Sequence, residues 1–129
     1  MERPQYLIDT NAVLDFLGAW LPEKGKVFMS AVVDAVPNLS IITKIELLGY
    51  SVQDEHYQTL ISFVNDSAVI ALSNEVADAC IKIRKANKTK LPDAIIAAIA
   101  LVNNLTLVTR NTSDFKNIAG LQVINPHQL

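Results

Sequence analysis

Leu91-Pro92-Asp93-Ala94-Ile95-Ile96-Ala97-Ala98-Ile99-Ala100-Leu101-Val102, then Asn103-Asn104, then Leu105-Thr106-Leu107-Val108, is the passage whose reading decides the fold. After Asp93 the first part carries no charge, and Pro92 suits a first helical turn, so it reads as a helix buried nearly all round. Ala94, Ala97 and Ala98 permit close packing against a sheet. Asn103-Asn104 supplies a turn, because Asn tolerates the left-handed conformation better than most residues. Leu105 to Val108 then reads as a strand.

Working outward, further short apolar runs stand at Tyr6-Leu7-Ile8, Leu39-Ser40-Ile41-Ile42, Ala68-Val69-Ile70-Ala71-Leu72 and Leu121-Gln122-Val123-Ile124. They are continuous rather than alternating, as expected of parallel strands covered on both faces. Between the strands, residues 12–17, 26–36, 44–48, 55–64, 75–86 and 94–102 carry helical patterns. Thr10 or Asn11 can cap the first helix, Ser73 or Asn74 the one containing Glu75, and Gly49 ends a helix. Alternating strands and helices predict an α/β fold: a three-layer α/β/α sandwich around a central, mostly parallel five-stranded sheet with right-handed crossovers. The pattern leaves the strand order open.

The chain has 129 residues, 11 Lys+Arg against 13 Asp+Glu and a net charge of −2, with a pI near 5.6 and mean hydropathy of +0.27. Half the residues are hydrophobic and 19% charged, which excludes a disordered chain and predicts one domain over residues 1–129. The single cysteine, Cys80, excludes an intramolecular disulfide framework and a cysteine-rich zinc site, and fits the cytoplasm. Its neighbours at helical spacing, Val76, Ala77 and Ile83, predict a core position. No apolar run reaches the roughly 20 residues of a membrane-spanning helix. The polar start Met1-Glu2-Arg3-Pro4-Gln5 has no secretory pattern and reads as native.

The acids carry the functional signal. Asp9 directly follows Tyr6-Leu7-Ile8, at a strand's C-terminal end, where ligands bind in open α/β sheets; it is equally suited to cap a helix. Glu46 lies one turn beyond the second strand, facing either solvent or the same sheet edge. Asp93 opens the buried helix, where it complements the helix dipole or delivers a carboxylate to an interior cleft. Asp114 follows the fourth strand, in a turn that also holds Thr112 and Ser113. Two negative charges about 5 Å apart repel by roughly 3 kcal/mol at an effective dielectric near 20, so such a group must protonate, spread apart or hold cations. Oxygen ligands alone favour Mg²⁺ or Mn²⁺.

Four segments in order, Leu7-Ile8-Asp9-Thr10-Asn11, Ile42-Thr43-Lys44-Ile45-Glu46-Leu47, Leu91 to Ala98, and Val108-Thr109-Arg110-Asn111-Thr112-Ser113-Asp114-Phe115, give the chain a resemblance to PIN-domain ribonucleases. The likeness is to the VapC-type toxins of toxin-antitoxin pairs, and it covers essentially the whole chain. The resemblance implies a Mg²⁺- or Mn²⁺-dependent endoribonuclease that inhibits translation. Asp9, Glu46 and Asp93 would form its acidic core and metal ligands, with Asp114 as a fourth acid. Asn111 stands where some members of the family place a further Asp, which leaves a second metal position open. The resemblance also implies a VapB-like antitoxin and a toxin dimer or hetero-oligomer.

Thr10, Asn11, Thr109 and Asn111 can orient a carboxylate or position substrate, although Thr10 also suits a cap and Thr109 a strand end. Lys82, Arg84, Lys85, Lys88 and Lys90 offer an RNA-binding surface, and Arg110 a phosphate contact beside the pocket. Val13, Leu14, Leu17, Trp20, Leu21, Val27, Phe28 and Met29 exceed one amphipathic face and suit a partner surface or the core. His56 and His127 read as surface residues. Two rivals compete: a catalytically inactive PIN-like binding module, and a phospho-acceptor receiver domain, for which the acidic pair and the late lysine are missing.

Overall fold

Each continuous apolar run does contain a strand, and every neighbouring pair is parallel. The computed structural model describes residues 5–49 and 54–129; the polar start at residues 1–4 lies outside them. The described elements are β1 (Gln5–Ile8), α1 (Thr10–Leu17), α2 (Glu23–Asp34), β2 (Asn38–Ser40), α3 (Ile41–Leu48), α4 (Asp54–Asn65), β3 (Ala68–Ile70), α5 (Asn74–Ala86), α6 (Leu91–Val102), β4 (Leu105–Val108), a 3₁₀ turn (Thr112–Asp114) and β5 (Val123–Ile124). The sheet order is β3-β2-β1-β4-β5. All four pairings are parallel, so the mostly parallel sheet becomes wholly parallel: no strand returns through a hairpin.

Successive strand residues point to opposite faces, and here each face has its own core. Leu7, Leu105 and Leu107 enter one cluster with Val76, Cys80 and Ile83 of α5 and residues 94–100 of α6. Ile8, Val108 and Leu39 enter the other with Ala12, Val13, Met29, Val32, Leu47, Leu60 and Val64 from α1 to α4. That division produces the α/β/α layering and explains why the runs do not alternate. Leu7, Ile8, Leu107 and Val108 are fully buried, each contributing about 1.5–3 kcal/mol. In α6, Ala94 to Ala100 are all buried.

Boundaries shift where capping competes with apolar patterning. Ile41 and Ile42, read as strand, open α3, because Ser40 caps it: the Thr43 amide donates to Ser40 Oγ at 2.9 Å. Asp9, rather than Thr10 or Asn11, caps α1. The second helix begins at Glu23, three residues before the expected Lys26, with Pro22 as its cap. Ser73 caps α5, Gly49 closes α3, and Asn104 takes the left-handed conformation with φ 54°. No helix among the described residues is long and apolar enough to cross a membrane.

The strand order positions the site. From β1 the chain builds β2 and β3 on one side, then crosses to β4 and β5 on the other. The C-terminal ends of β1 and β4 therefore flank the topological switch point, where open α/β sheets leave a crevice.

Candidate active site

Asp9 occupies that crevice. It follows β1, its amide donates to the Val108 carbonyl of β4 at 2.9 Å, and the residue is 6% exposed. The carboxylate accepts from the Thr10 amide on Oδ1 (2.9 Å) and from Thr109 Oγ1 (2.8 Å) and Asn11 Nδ2 (3.1 Å) on Oδ2. Asn11 Nδ2 also lies 3.1 Å from Thr109 Oγ1, which accepts from the Asn111 amide at the same distance. Asp9 is thus both a helix cap and a carboxylate held by fixed donors. Burial raises its pKa, the bonds from Thr109, Thr10 and Asn11 work against that, and the charge of Glu46 adds to it.

Glu46 combines both outcomes left open by the sequence: it is exposed, yet its Oε1 accepts from Thr10 Oγ1 at 2.6 Å. Thr10 is the first residue of α1, and its hydroxyl also lies 3.3 Å from Thr43 Oγ1, itself 3.1 Å from Ser40 Oγ. A short line of hydroxyls thereby joins the first residue of α1 to the cap of α3.

Asp93 lies in the first turn of α6. Its pKa is raised, first by burial, then by the charges of Asp9, Asp114 and Glu46, with Lys90 opposing. The other three acids named from the sequence therefore all act on Asp93. Asp93 and Asp114 line a cleft of about 270 Å³ together with Lys88, Lys90, Ser113 and Asn117.

The donor set suits a hard divalent cation: carboxylates, hydroxyls and amides, with neither Cys nor His among them. Among the described residues, none of these four acids takes part in an ion pair. The carboxylates share one field without closing on one point; among the described residues no three His, Cys, Asp or Glu side chains form a ready metal shell.

Other expectations separate. Lys88 and Lys90 line the cleft, whereas Lys82, Arg84 and Lys85 are exposed on α5 and do not. Asn111 is exposed and precedes the 3₁₀ turn carrying Asp114. His56 is exposed and Cys80 buried, as expected. Of the apolar residues in the early helices, Val13, Leu21 and Met29 belong to the core, while Trp20 and Val27 are 75% and 63% exposed.

One correction concerns His127, which shares a partner with Arg110. The Arg110 guanidinium is bound to Asp15, with Nη1 3.1 Å from both carboxylate oxygens. His127 is no free surface residue, since its Nε2 lies 2.8 Å from Asp15 Oδ2. Asp15 itself escaped sequence reasoning. The one available signal is an acid inside the otherwise apolar run Ala12-Val13-Leu14-Asp15-Phe16-Leu17.

The fold and the crevice are those of a PIN domain, and the chain belongs to that family: the family's sequence profile matches residues 6–121. Solved structures share the architecture. A chain of the toxin-antitoxin complex from Klebsiella pneumoniae is 30% identical, with a TM-score of 0.75, covering 97% of this chain and 100% of its own. FitAcB from Neisseria gonorrhoeae gives 25% identity and a TM-score of 0.80 over 97% of this chain and 100% of its own. VapBC2 from Rickettsia felis, bound to a DNA fragment from its promoter, gives 23% and 0.78 over 93% and 97%. No curated protein sequence matches. The sheet order also departs from the 2-1-3-4-5 of receiver domains, which removes that rival.

Proposed function

We propose that this chain is a metal-dependent endoribonuclease, the VapC-type toxin of a toxin-antitoxin pair, with one nuclease domain over residues 1–129. The observation that carries the reading is the state of Asp93. It is partly buried and pressed by the charges of Asp9, Asp114 and Glu46, while none of the four has an ion-pair partner among the described residues. A fold keeps mutually repelling carboxylates together when something positive completes them.

Asp9 and Asp93 would hold Mg²⁺ or Mn²⁺, with Asp114 as an outer carboxylate. A divalent cation there supplies charge neutralisation for a phosphodiester and acidifies water. Thr109 and Asn11 keep Asp9 oriented through their bonds to Oδ2. Thr10 holds Glu46, which accepts a proton from the water attacking phosphorus in line. The P–O3′ bond breaks and the departing O3′ takes a proton from solvent, leaving a 5′-phosphate and a 3′-hydroxyl. Lys88 and Lys90 at the cleft and Arg110 beside Thr109 attract the RNA backbone.

A VapB-like antitoxin is the expected partner, in a hetero-oligomer or around a toxin dimer. The 30% identity to a chain of a toxin-antitoxin complex and the exposure of Trp20 and Val27 support it. The cytoplasm, where RNA is available, is the expected location, with blocked translation as the outcome. The test is cleavage of total cellular RNA by the native chain, with Mg²⁺ or EDTA, alongside Asp9→Asn and Asp93→Asn. Cleavage is expected in Mg²⁺ alone and only from the native chain. Equal cleavage in EDTA and by both variants overturns the metal mechanism, and intact RNA throughout supports an inactive binding module.

A further inference from the structure

Asp15 has a buried side chain, 10% exposed, that ties together three distant segments. Besides accepting from Arg110 Nη1 on both oxygens, it meets His127 Nε2 from the C-terminal segment. The same helix grips Arg110 a second time, because the Arg110 amide donates to Asn11 Oδ1 at 2.8 Å. Asn11 and Asp15 are four residues apart and share one face of α1. That face fixes both the main chain and the guanidinium of the residue that follows Thr109.

The segment bringing His127 is seated as well. Pro126 is buried, and its carbonyl oxygen lies 2.1 Å from where a Cβ on Gly25 would stand, so α2 needs glycine there. The His127 amide donates to Asn125 Oδ1 at 2.9 Å.

The hold on Arg110 is one-sided. Both side-chain bonds use Nη1, the side chain is 51% exposed, and Nε and Nη2 have no protein partner among the described residues. A guanidinium is a planar fork of donors, so anchoring one nitrogen sets the plane and leaves the other donors usable. Lys88 and Lys90, by contrast, are exposed and in no ion pair among the described residues. We propose that Asp15, backed by His127, is a positioning residue that presents Arg110 to an RNA phosphate at the rim of the acidic crevice. The proposal rests on the nuclease reading for its ligand. Fixing the side chain beforehand removes rotamer freedom that a loose lysine loses on binding.

Charge and orientation predict opposite signs. Asp15→Asn removes a negative charge near the RNA path, which by itself tightens binding, whereas loss of orientation weakens it. The experiment is fluorescence anisotropy with a labelled single-stranded RNA in Mg²⁺, using the full chain carrying Asp93→Asn so that the RNA survives. Arg110→Gln is expected to weaken binding about tenfold. Asp15→Asn should weaken it about fivefold, and the combination should be no weaker than Arg110→Gln alone, within about twofold. Arg110→Gln and Asp15→Asn should each lower the slope of log Kd against log salt by about 0.7, which a purely structural role would not do. Asp15→Glu keeps the charge but displaces it by a methylene; about threefold weaker binding is expected from a chain whose thermal unfolding confirms its fold.

Unchanged or tighter binding by Asp15→Asn, unchanged binding by Arg110→Gln, additive losses, or a parent that binds no RNA would each overturn the proposal. Losses of the expected size in a chain whose native form cleaves no RNA would sink the nuclease reading and leave the positioning role standing. Metal-dependent cleavage without those losses would do the reverse.

Discussion

Asp9 stands at the N-cap of α1 and Asp15 in its last turn, and their exposures are nearly equal, 6% and 7%. Around Asp15 the chain supplies a guanidinium and an imidazole. Around Asp9 it supplies neutral donors, Thr109, Asn11 and the Thr10 amide, and places the negative Glu46 nearby. A buried carboxylate that the chain completes with a cation serves the fold or orients that cation. One that the chain orients but leaves uncompensated is available to something from outside.

The widest separation between the two should appear in catalysis. Asp9→Asn or Asp93→Asn is expected to lower Mg²⁺-dependent RNA cleavage by about a thousandfold or more, as removal of a metal-holding carboxylate does. Asp15→Asn should leave kcat within about threefold and act on KM. Steady-state kinetics on one RNA substrate check both, and a kcat loss at Asp15 matching that at Asp93 would erase the distinction.

A smaller effect is expected at Thr10, whose hydroxyl holds Glu46 at 2.6 Å. Thr10→Val preserves shape and removes the bond; kcat should fall about tenfold at an unchanged melting temperature.

The smallest effects concern stability, measured by chemical denaturation in EDTA, and they differ in sign. Asp15→Asn should destabilise the fold by about 1 kcal/mol, a modest figure because Arg110 is half in water. Asp93→Asn should stabilise it at neutral pH. The pKa of Asp93 is raised in the folded chain, so between its unfolded and folded values the native state binds more protons, and stability falls as pH rises through that window. Ionised Asp93 therefore opposes folding at neutral pH. The gain from Asn should shrink as pH drops into the carboxylate range. Asp9→Asn is a poorer probe, because three donors converge on two carboxylate oxygens and an amide offers only one.

Asp9 and Asp93 were legible because each adjoins an apolar run whose burial is itself a pattern: the strand before one, the helix after the other. Layering was legible for the same reason, since residues feeding two cores cannot alternate with polar ones. Ile41 and Ile42 were misplaced because a short apolar run suits a strand or a buried first turn equally, and only the Ser40 cap decides. The strand order is a long-range property and left no local trace. Asp15, Arg110 and His127 pair across separations of 95 and 112 residues, and contacts so distant impose no spacing a sequence reader can count. In the early helices the excess of apolar residues was visible, but not which of them, Trp20 and Val27, face outward.

The most direct test is calorimetric titration of Mn²⁺ into the metal-free chain, repeated with Asp93→Asn and Asp15→Asn. Saturable binding by the native chain and by Asp15→Asn, lost in Asp93→Asn, is the predicted result. No saturable binding by the native chain, or binding that Asp93→Asn leaves untouched, would contradict a cation site built on these carboxylates.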